Sequence, residues 1–187
     1  LPATANPTYT AALYDTWKAF HYITLEDEAT RYPTWGAEFS TVFGAYTAQG
    51  LGAARVIWST FNSASCTIEE ASRTNMYKRG CTVSEGIGYG MLITLFQGDW
   101  DAFNRLWIYS QAYRNSAYAS GRGLMPWLTA SFSWDIPDES SATDADLDIA
   151  TSLILAYYMS GNTAYLNDAL TLIAALWNNE VNLSNHL

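Results

Sequence analysis

Basic residues are scarce in this sequence: nine Lys and Arg stand against eighteen Asp and Glu, a formal net charge of -9. Such a field repels phosphate backbones and anionic membrane surfaces, so no nucleic-acid partner is expected. No apolar run reaches the ~20 residues that cross a bilayer, and no membrane partner is expected either. Two cysteines without clustered histidines cannot build a structural zinc site, and no metal or other cofactor is called for. The two cysteines, Cys66 and Cys81, enclose a polar segment from Thr67 to Gly80. They read as a disulfide made in an oxidising compartment, worth about 3 kcal/mol by loop closure, with two buried free thiols as the alternative. An initiator Met is also missing. The chain opens on Leu1 without a charged-then-apolar leader, from which a trimmed protein, secreted or periplasmic, is expected.

What the sequence has is apolar and aromatic substance. Hydrophobic residues make up 49% of it and aromatic residues 15%, against 14% charged, so residues 1–187 are read as part of a single globular domain rather than a disordered segment. Periodicity is helical. Tyr9, Leu13, Trp17 and Phe20 recur at spacings of four, four and three after Pro7 and Thr8, which can open a helix. The pattern weakens from Ile23 to Phe61. A second clear helix is predicted from Ser84 to Gln97, ended by Gly98, and a third is capped by Asp99 or Asp101, with Phe103, Leu106, Trp107 and Tyr113 on one face. Loop signals fill Asn115 to Glu139. A fourth helix from Asp144 to Met159 is apolar on nearly every side from Ile149 onward, which predicts a buried C-terminal half, and Gly161-Asn162 ends it. Thr163 is expected to cap a fifth helix carrying Leu166, Ala169, Leu170, Ile173, Leu176 and Trp177. With no alternating strand pattern in competition, the expected fold class is all-α, built of helical hairpins.

Two segments are too small or too polar to have been chosen for packing. In the first, Thr82 to Met91, Ser84 is expected to cap a helix whose first turn holds Glu85, favoured there by the helix dipole. Gly86, Gly88 and Gly90 then follow within a turn and a half, at roughly 0.5 to 1 kcal/mol each relative to Ala. Something must come close. Gly86 and Gly90, four apart, are expected to admit another helix, and Tyr89 stands where it can hydrogen-bond beside Glu85. The second segment, Ser141 to Ala150, sets Asp144, Asp146 and Asp148 at i, i+2 and i+4, so Asp144 and Asp148 share a helix face and Asp146 points nearly opposite. An EF-hand is excluded, because Ile149 and Leu155 stand where that loop needs Gly and Glu. The bland alternatives are close helix packing for the glycines and dipole stabilisation for the acids. The chemical reading is a pair of carboxylates for glycoside cleavage, with Glu85 as general acid and Asp144 as a charged neighbour. Trp127, between the two segments, offers a stacking platform for a sugar ring, and Trp134 is a weaker candidate.

Ser84-Glu85-Gly86 with Gly88-Tyr89-Gly90-Met91, Leu124-Met125 with Trp127, and Ala142-Thr143-Asp144-Ala145-Asp146 with Ile149-Ala150 resemble the signature segments of glycoside hydrolase family 8. The resemblance implies an (α/α)6 barrel, about half of it present here as the N-terminal part of the catalytic domain. It also implies an inverting endo-β-1,4-glycanase acting on β-glucan or cellulose, with xylan and chitosan as alternatives. Glu85 would be the proton donor and Asp144 an active-site carboxylate, with Asp148, Tyr89 and Trp127 binding a polysaccharide substrate. In many members the Asp that activates water comes from the half beyond these residues, so a second polypeptide completing the barrel is expected. Asp135, Asp138 and Glu139 are the substitutes for that base within the chain. The other alternative is a non-catalytic carbohydrate-binding remnant. Ser160 departs from the family, which usually has Phe or Trp there.

Overall fold

In the computed structural model, which describes residues 7–31, 52–58, 80–115, 121–129 and 138–181, helices carry most of the described chain. Helix α1 spans Pro7–His21, α2 Leu25–Arg31, α3 Ser84–Phe96, α4 Trp100–Asn115, α5 Thr143–Ser160 and α6 Thr163–Glu180. Two hairpins result, as the periodicity predicts. Between α3 and α4 the chain turns at Gly98, whose φ of 71° is left-handed, and Asp99 Oδ1 caps α4 by accepting from the Ala102 N–H at 3.1 Å. Between α5 and α6 the turn is at Gly161, whose φ is 73° and whose N–H donates to the Tyr157 carbonyl. The cap of α6 is Asn162, accepting from the Ala164 N–H at 3.0 Å, and not Thr163, which is already helical. Ser84 is likewise inside its helix. The extended Val83 takes the cap position, with no side-chain hydrogen bond, and the Ser84 hydroxyl turns to the Glu85 carboxylate instead.

Apolar stripes of four helices meet in one core. Ile87, Met91 and Leu95 of α3 pack with Phe103, Leu106 and Trp107 of α4, Ile149 and Leu153 of α5, and Ala169, Leu172 and Leu176 of α6. Tyr165 sets its ring edgewise against Trp107 and Phe103, with centroids 4.8 and 5.6 Å away. Asp168 of α6 accepts from the Trp107 indole and the Arg114 guanidinium, both at 2.6 Å, tying α6 to α4. The fifth predicted helix therefore divides its apolar residues between two faces. Leu170, Ile173 and Trp177 point outward, Trp177 to 57% exposure, while Tyr165, Ala169, Leu172 and Leu176 point inward. The C-terminal end of α5 is not buried as expected: Leu153 and Ala156 are covered, but Tyr158 is 78% and Met159 56% exposed.

Short strands hold the ends of the helices. β1 (Tyr22–Thr24) pairs antiparallel with β2 (Ala54–Val56), and β4 (Pro126–Thr129) lies between β3 (Thr82–Val83) and β5 (Asp138–Ser141), antiparallel to both. Stretches of two to four residues are too short to show alternation, which is why the sequence reads them as loop. Arg55 of β2 binds this frame from inside. Fully buried, it grips both Glu28 oxygens at 3.0 Å and donates to the Gly80 carbonyl at 2.6 Å and the Thr82 hydroxyl at 3.2 Å. Removing one partner of such a pair leaves a buried charge uncompensated, at roughly 3 to 5 kcal/mol.

The glycines of α3 face different neighbours. A Cβ on Gly86 would meet Trp58 and Val56, so that glycine admits β2 and the residues after it, while one on Gly90 would meet Val56 and Leu106, so Gly90 admits a helix, α4, as expected. Gly88 admits a second helix: a Cβ there would stand 2.9 Å from Asp148 Cβ and 3.2 Å from the Ala145 carbonyl, both in the first two turns of α5. Gly88→Ala sets a helix-propensity gain of about 1 kcal/mol against an overpacking cost of about 1 to 3 kcal/mol, and the atoms it meets lie on or beside backbone that moves only with α5. A net loss of stability is expected. Thermal denaturation checks it, and a variant as stable as the wild type would show that α3 and α5 are free to separate.

Candidate active site

The three-stranded ladder measures out the site. β3 runs directly into α3, β5 leads through Ala142 into α5, and β4 joins them with Val83 opposite Leu128 and Pro126 opposite Ser141. Glu85 therefore sits at the head of one helix, Asp144 at the head of the next, and Trp127 on the strand between them. Thr129 fixes that strand to the core. Its hydroxyl bonds the Tyr109 hydroxyl at 2.8 Å and donates to the Thr82 carbonyl at 3.3 Å, all in buried surroundings.

Glu85 is half-buried, and the Trp127 indole N–H donates to its Oε1 at 3.2 Å while the Ser84 hydroxyl donates to Oε2 at 3.3 Å. The sequence pairs Trp127 with a sugar ring; the structure also gives it a hold on the carboxylate. Tyr89 goes elsewhere. Half exposed, it leans on Trp58 with centroids 6.1 Å apart, and the two rings join Trp17, His21 and Gly86 around an open pocket of about 350 Å³. Trp58 did not stand out in the sequence, because only the fold brings β2 to the head of α3.

The three acids of α5 have three environments. Asp144 is exposed, and Asp148, partly covered where Gly88 passes, has its carboxyl raised above the usual range by burial and then by the Asp144 charge. Asp146 is fully buried. Its Oδ1 accepts from the Met125 N–H at 3.2 Å, and its Oδ2 has no hydrogen-bond partner in the structure. Burial pushes its carboxyl up to about 7, against the opposing pulls of the Met125 N–H and the Arg114 charge, and Glu180 adds to the rise. The sequence places this side chain opposite Asp144 on the helix and gives it no role of its own. The signal was available, since a carboxylate on the core side of an amphipathic helix is expensive unless it is held for a reason.

Of the carboxylates considered as a substitute base, Asp138 and Glu139 lie on β5. Asp138 accepts from both the backbone N–H and the hydroxyl of Ser140, which hold it below the usual carboxylate range and weaken it as a base. Asp135 lies outside the described residues, as do Trp134 and Cys66; Cys81 is buried beside Val83 and Leu128. Among the described residues no three His, Cys, Asp or Glu side chains gather as metal ligands.

Residues 30–183 match the sequence profile of Glycosyl hydrolases family 8. A Beta-glucanase of Niallia circulans is 38% identical over 113 residues, which are 56% of this chain and 27% of that protein. Endoglucanase C of Ruminiclostridium cellulolyticum is 35% identical over 135 residues, 66% of this chain and 28% of that protein. The chain thus spans under a third of the length of these relatives. Among solved structures, a family 8 xylobiose complex from Teredinibacter turnerae superimposes with a TM-score of 0.52 at 21% identity, covering 68% of this chain and 29% of that one. That likeness concerns the fold, an (α/α)6 barrel of which this chain supplies part.

The buried acid makes a pH-dependent prediction. An acid whose folded pKa stands above its unfolded value holds its proton better in the folded state. Its stabilisation is complete below about 3.8 and is lost as pH rises through about 7. Asp146→Asn cannot titrate. Its stability relative to wild type, read from thermal denaturation, is expected to climb from pH 4 to pH 7 and then level off, a span on the order of 4 kcal/mol at about 1.4 kcal/mol per unit. A difference that stays constant over that range would show that Asp146 is ionised throughout.

Proposed function

Because the chain belongs to Glycosyl hydrolases family 8, we propose that it carries the acid-bearing part of an inverting endo-β-1,4-glycanase. The observation that carries this reading is the convergence at one ladder of Glu85, held by the Trp127 indole, with the α5 head that bears Asp144 and Asp148. Glu85 donates its proton to the glycosidic oxygen as the C–O bond breaks, and the leaving sugar departs as an alcohol. Asp144, exposed and in the field of Asp148, stabilises the positive charge that develops on the sugar ring. The Trp127 face stacks on a ring and sets the bond against the acid.

Inversion needs a water-activating carboxylate about 6.5 to 9.5 Å from the acid. With Asp138 weakened as a base by the hydrogen bonds from Ser140, we place the water-activating carboxylate outside these 187 residues, on the part of the barrel that also covers the exposed faces of α1 and α6. A second polypeptide is one source of that part and a longer chain the other; the intact mass of native material separates them. A β-glucan or cellulose substrate is favoured over xylan, since the relatives near 38% and 35% identity are named for glucan cleavage and the xylobiose complex stands at 21%. Secretion, with a Cys66–Cys81 disulfide closing the polar segment Thr67 to Gly80, completes the reading.

Glu85→Gln in the complete native assembly is expected to lower reducing-end release from soluble β-glucan by roughly 100-fold or more while oligosaccharide affinity is kept. Unchanged hydrolysis would remove Glu85 from the acid role, and an assembly with no hydrolysis to lose would make this a binding remnant. Trp127→Ala is expected to weaken oligosaccharide binding by about 1 to 3 kcal/mol, as loss of a stacking ring does. Titration calorimetry reads it, and undiminished binding would deny the platform. Hydrolysis by the 187-residue chain alone would place the base within it.

A further inference from the structure

Glu85 is held by Trp127, whose strand is anchored at its far end by Thr129 and at its entry by a contact two residues upstream. Met125 is fully buried just before β4, and its N–H is directed at Asp146 Oδ1, 3.2 Å away in the first turns of α5. A relay of contacts therefore runs from α5 to α3: the Asp146 carboxyl, the Met125 amide, the start of strand β4, the Trp127 indole, and Glu85 Oε1 at 3.2 Å. We propose that Asp146 is the positioning residue of this site, a buried carboxyl that fixes the β4 entry and through it the hydrogen bond between Trp127 and the Glu85 carboxylate.

Three features support the assignment. Asp146 spends only one oxygen on the protein, since Oδ2 is buried without a hydrogen-bond partner in the structure, so packing stability does not explain its presence. An apolar side chain of similar volume would serve the core better but would strand the Met125 N–H, at about 1 to 3 kcal/mol. The charged groups around it are Arg114 from α4 and Glu180 from α6, with Asp144 and Asp148 on its own helix. Arg114 is committed to Asp168 and Ser110, and Glu180 accepts from Ser141 and Thr143, so neither is a dedicated counter-ion for Asp146. The carboxyl thus keeps its proton up to about 7, and its ionisation above that sharpens the charge that Met125 meets.

The proposal rests on the glycanase reading only for its catalytic consequence, because the relay itself is observable without turnover. The Trp127 indole N–H signal of uniformly ¹⁵N-labelled protein, identified by its loss in Trp127→Phe, is the probe. In the wild type it is expected to shift with an ionisation near pH 7 that persists in Glu85→Gln. Asp146→Asn, which keeps the Oδ1 acceptor, is expected to lose that step. Asp146→Ala is expected to move the signal to the position of a solvent-exposed indole and to uncouple it from Glu85. A wild-type signal with no step near pH 7, an Asp146→Asn signal that still shows it, or an Asp146→Ala signal that matches the wild type would each overturn the proposal. Should Asp146→Ala fail to fold, the first two results still decide. The expected titrations in an assembly without glycanase activity would end the functional reading and leave the relay standing.

Discussion

The distance between two helix heads sets the geometry of this molecule, and Gly88 sets that distance. With hydrogen in place of a methyl group, α3 comes so close to α5 that a Cβ would lie 2.9 Å from Asp148 Cβ. The helix accepts three glycines in five residues, a propensity loss of roughly 1.5 to 3 kcal/mol in sum, and recovers it in contact area along Ile87, Met91, Ile149 and Leu153. Any other residue at that position would hold Glu85 and the aspartates of α5 further apart. The site's electrostatics follow from the same closeness: Asp148, pressed under α3, loses water and feels Asp144, and both effects oppose its ionisation.

Close approach alone leaves the helices free to slide, and the β3–β4–β5 ladder removes that freedom. Paired strands fix register residue by residue, so the steps from Val83 to Leu128 and from Pro126 to Ser141 translate into a set offset between Glu85 and Asp144. The ladder is only a few residues wide and is not stable alone. It is held by the buried polar network around it, in which Arg55, Thr82, Thr129 and Tyr109 satisfy one another. Such a network is costly when broken and directional when intact, which suits a scaffold that must place a carboxylate and an indole within hydrogen-bond distance.

The helices were legible in the sequence because their signals are long and local. Apolar residues at helical spacing mark α1, α4, α5 and α6, and the turns at Gly98 and Gly161 need a backbone conformation that glycine adopts without strain. The two carboxylate segments were legible because glycines and acids there contradict what a packed helix wants. Everything that depends on contact between distant segments was not. Ser84 and Thr163 look like caps by type, yet Val83 and Asn162 hold the cap positions, a shift of one residue that propensity does not resolve. The ladder, the partner of Gly88 and the burial of Asp146 are set by which elements meet, and no local pattern encodes that.

The exposed apolar side chains fall in a pattern that bears on the rest of the domain. On α3 the inward residues are covered from Ile87 to Leu95, whereas α1 presents Tyr9, Leu13 and Phe20 to solvent, and α6 presents Leu170, Ile173 and Trp177. These are the first and last helices described. Exposed apolar residues scattered singly, such as Phe96 on α3 or Leu147 on α5, need no explanation, but rows at helical spacing on both of these helices do, since each ring or branched chain left in water forgoes about 1.5 to 3 kcal/mol of burial. Such rows support the proposal that further helices pack there, and in a closed ring those helices would also stand across the cleft from Glu85, where a water-activating carboxylate has to be.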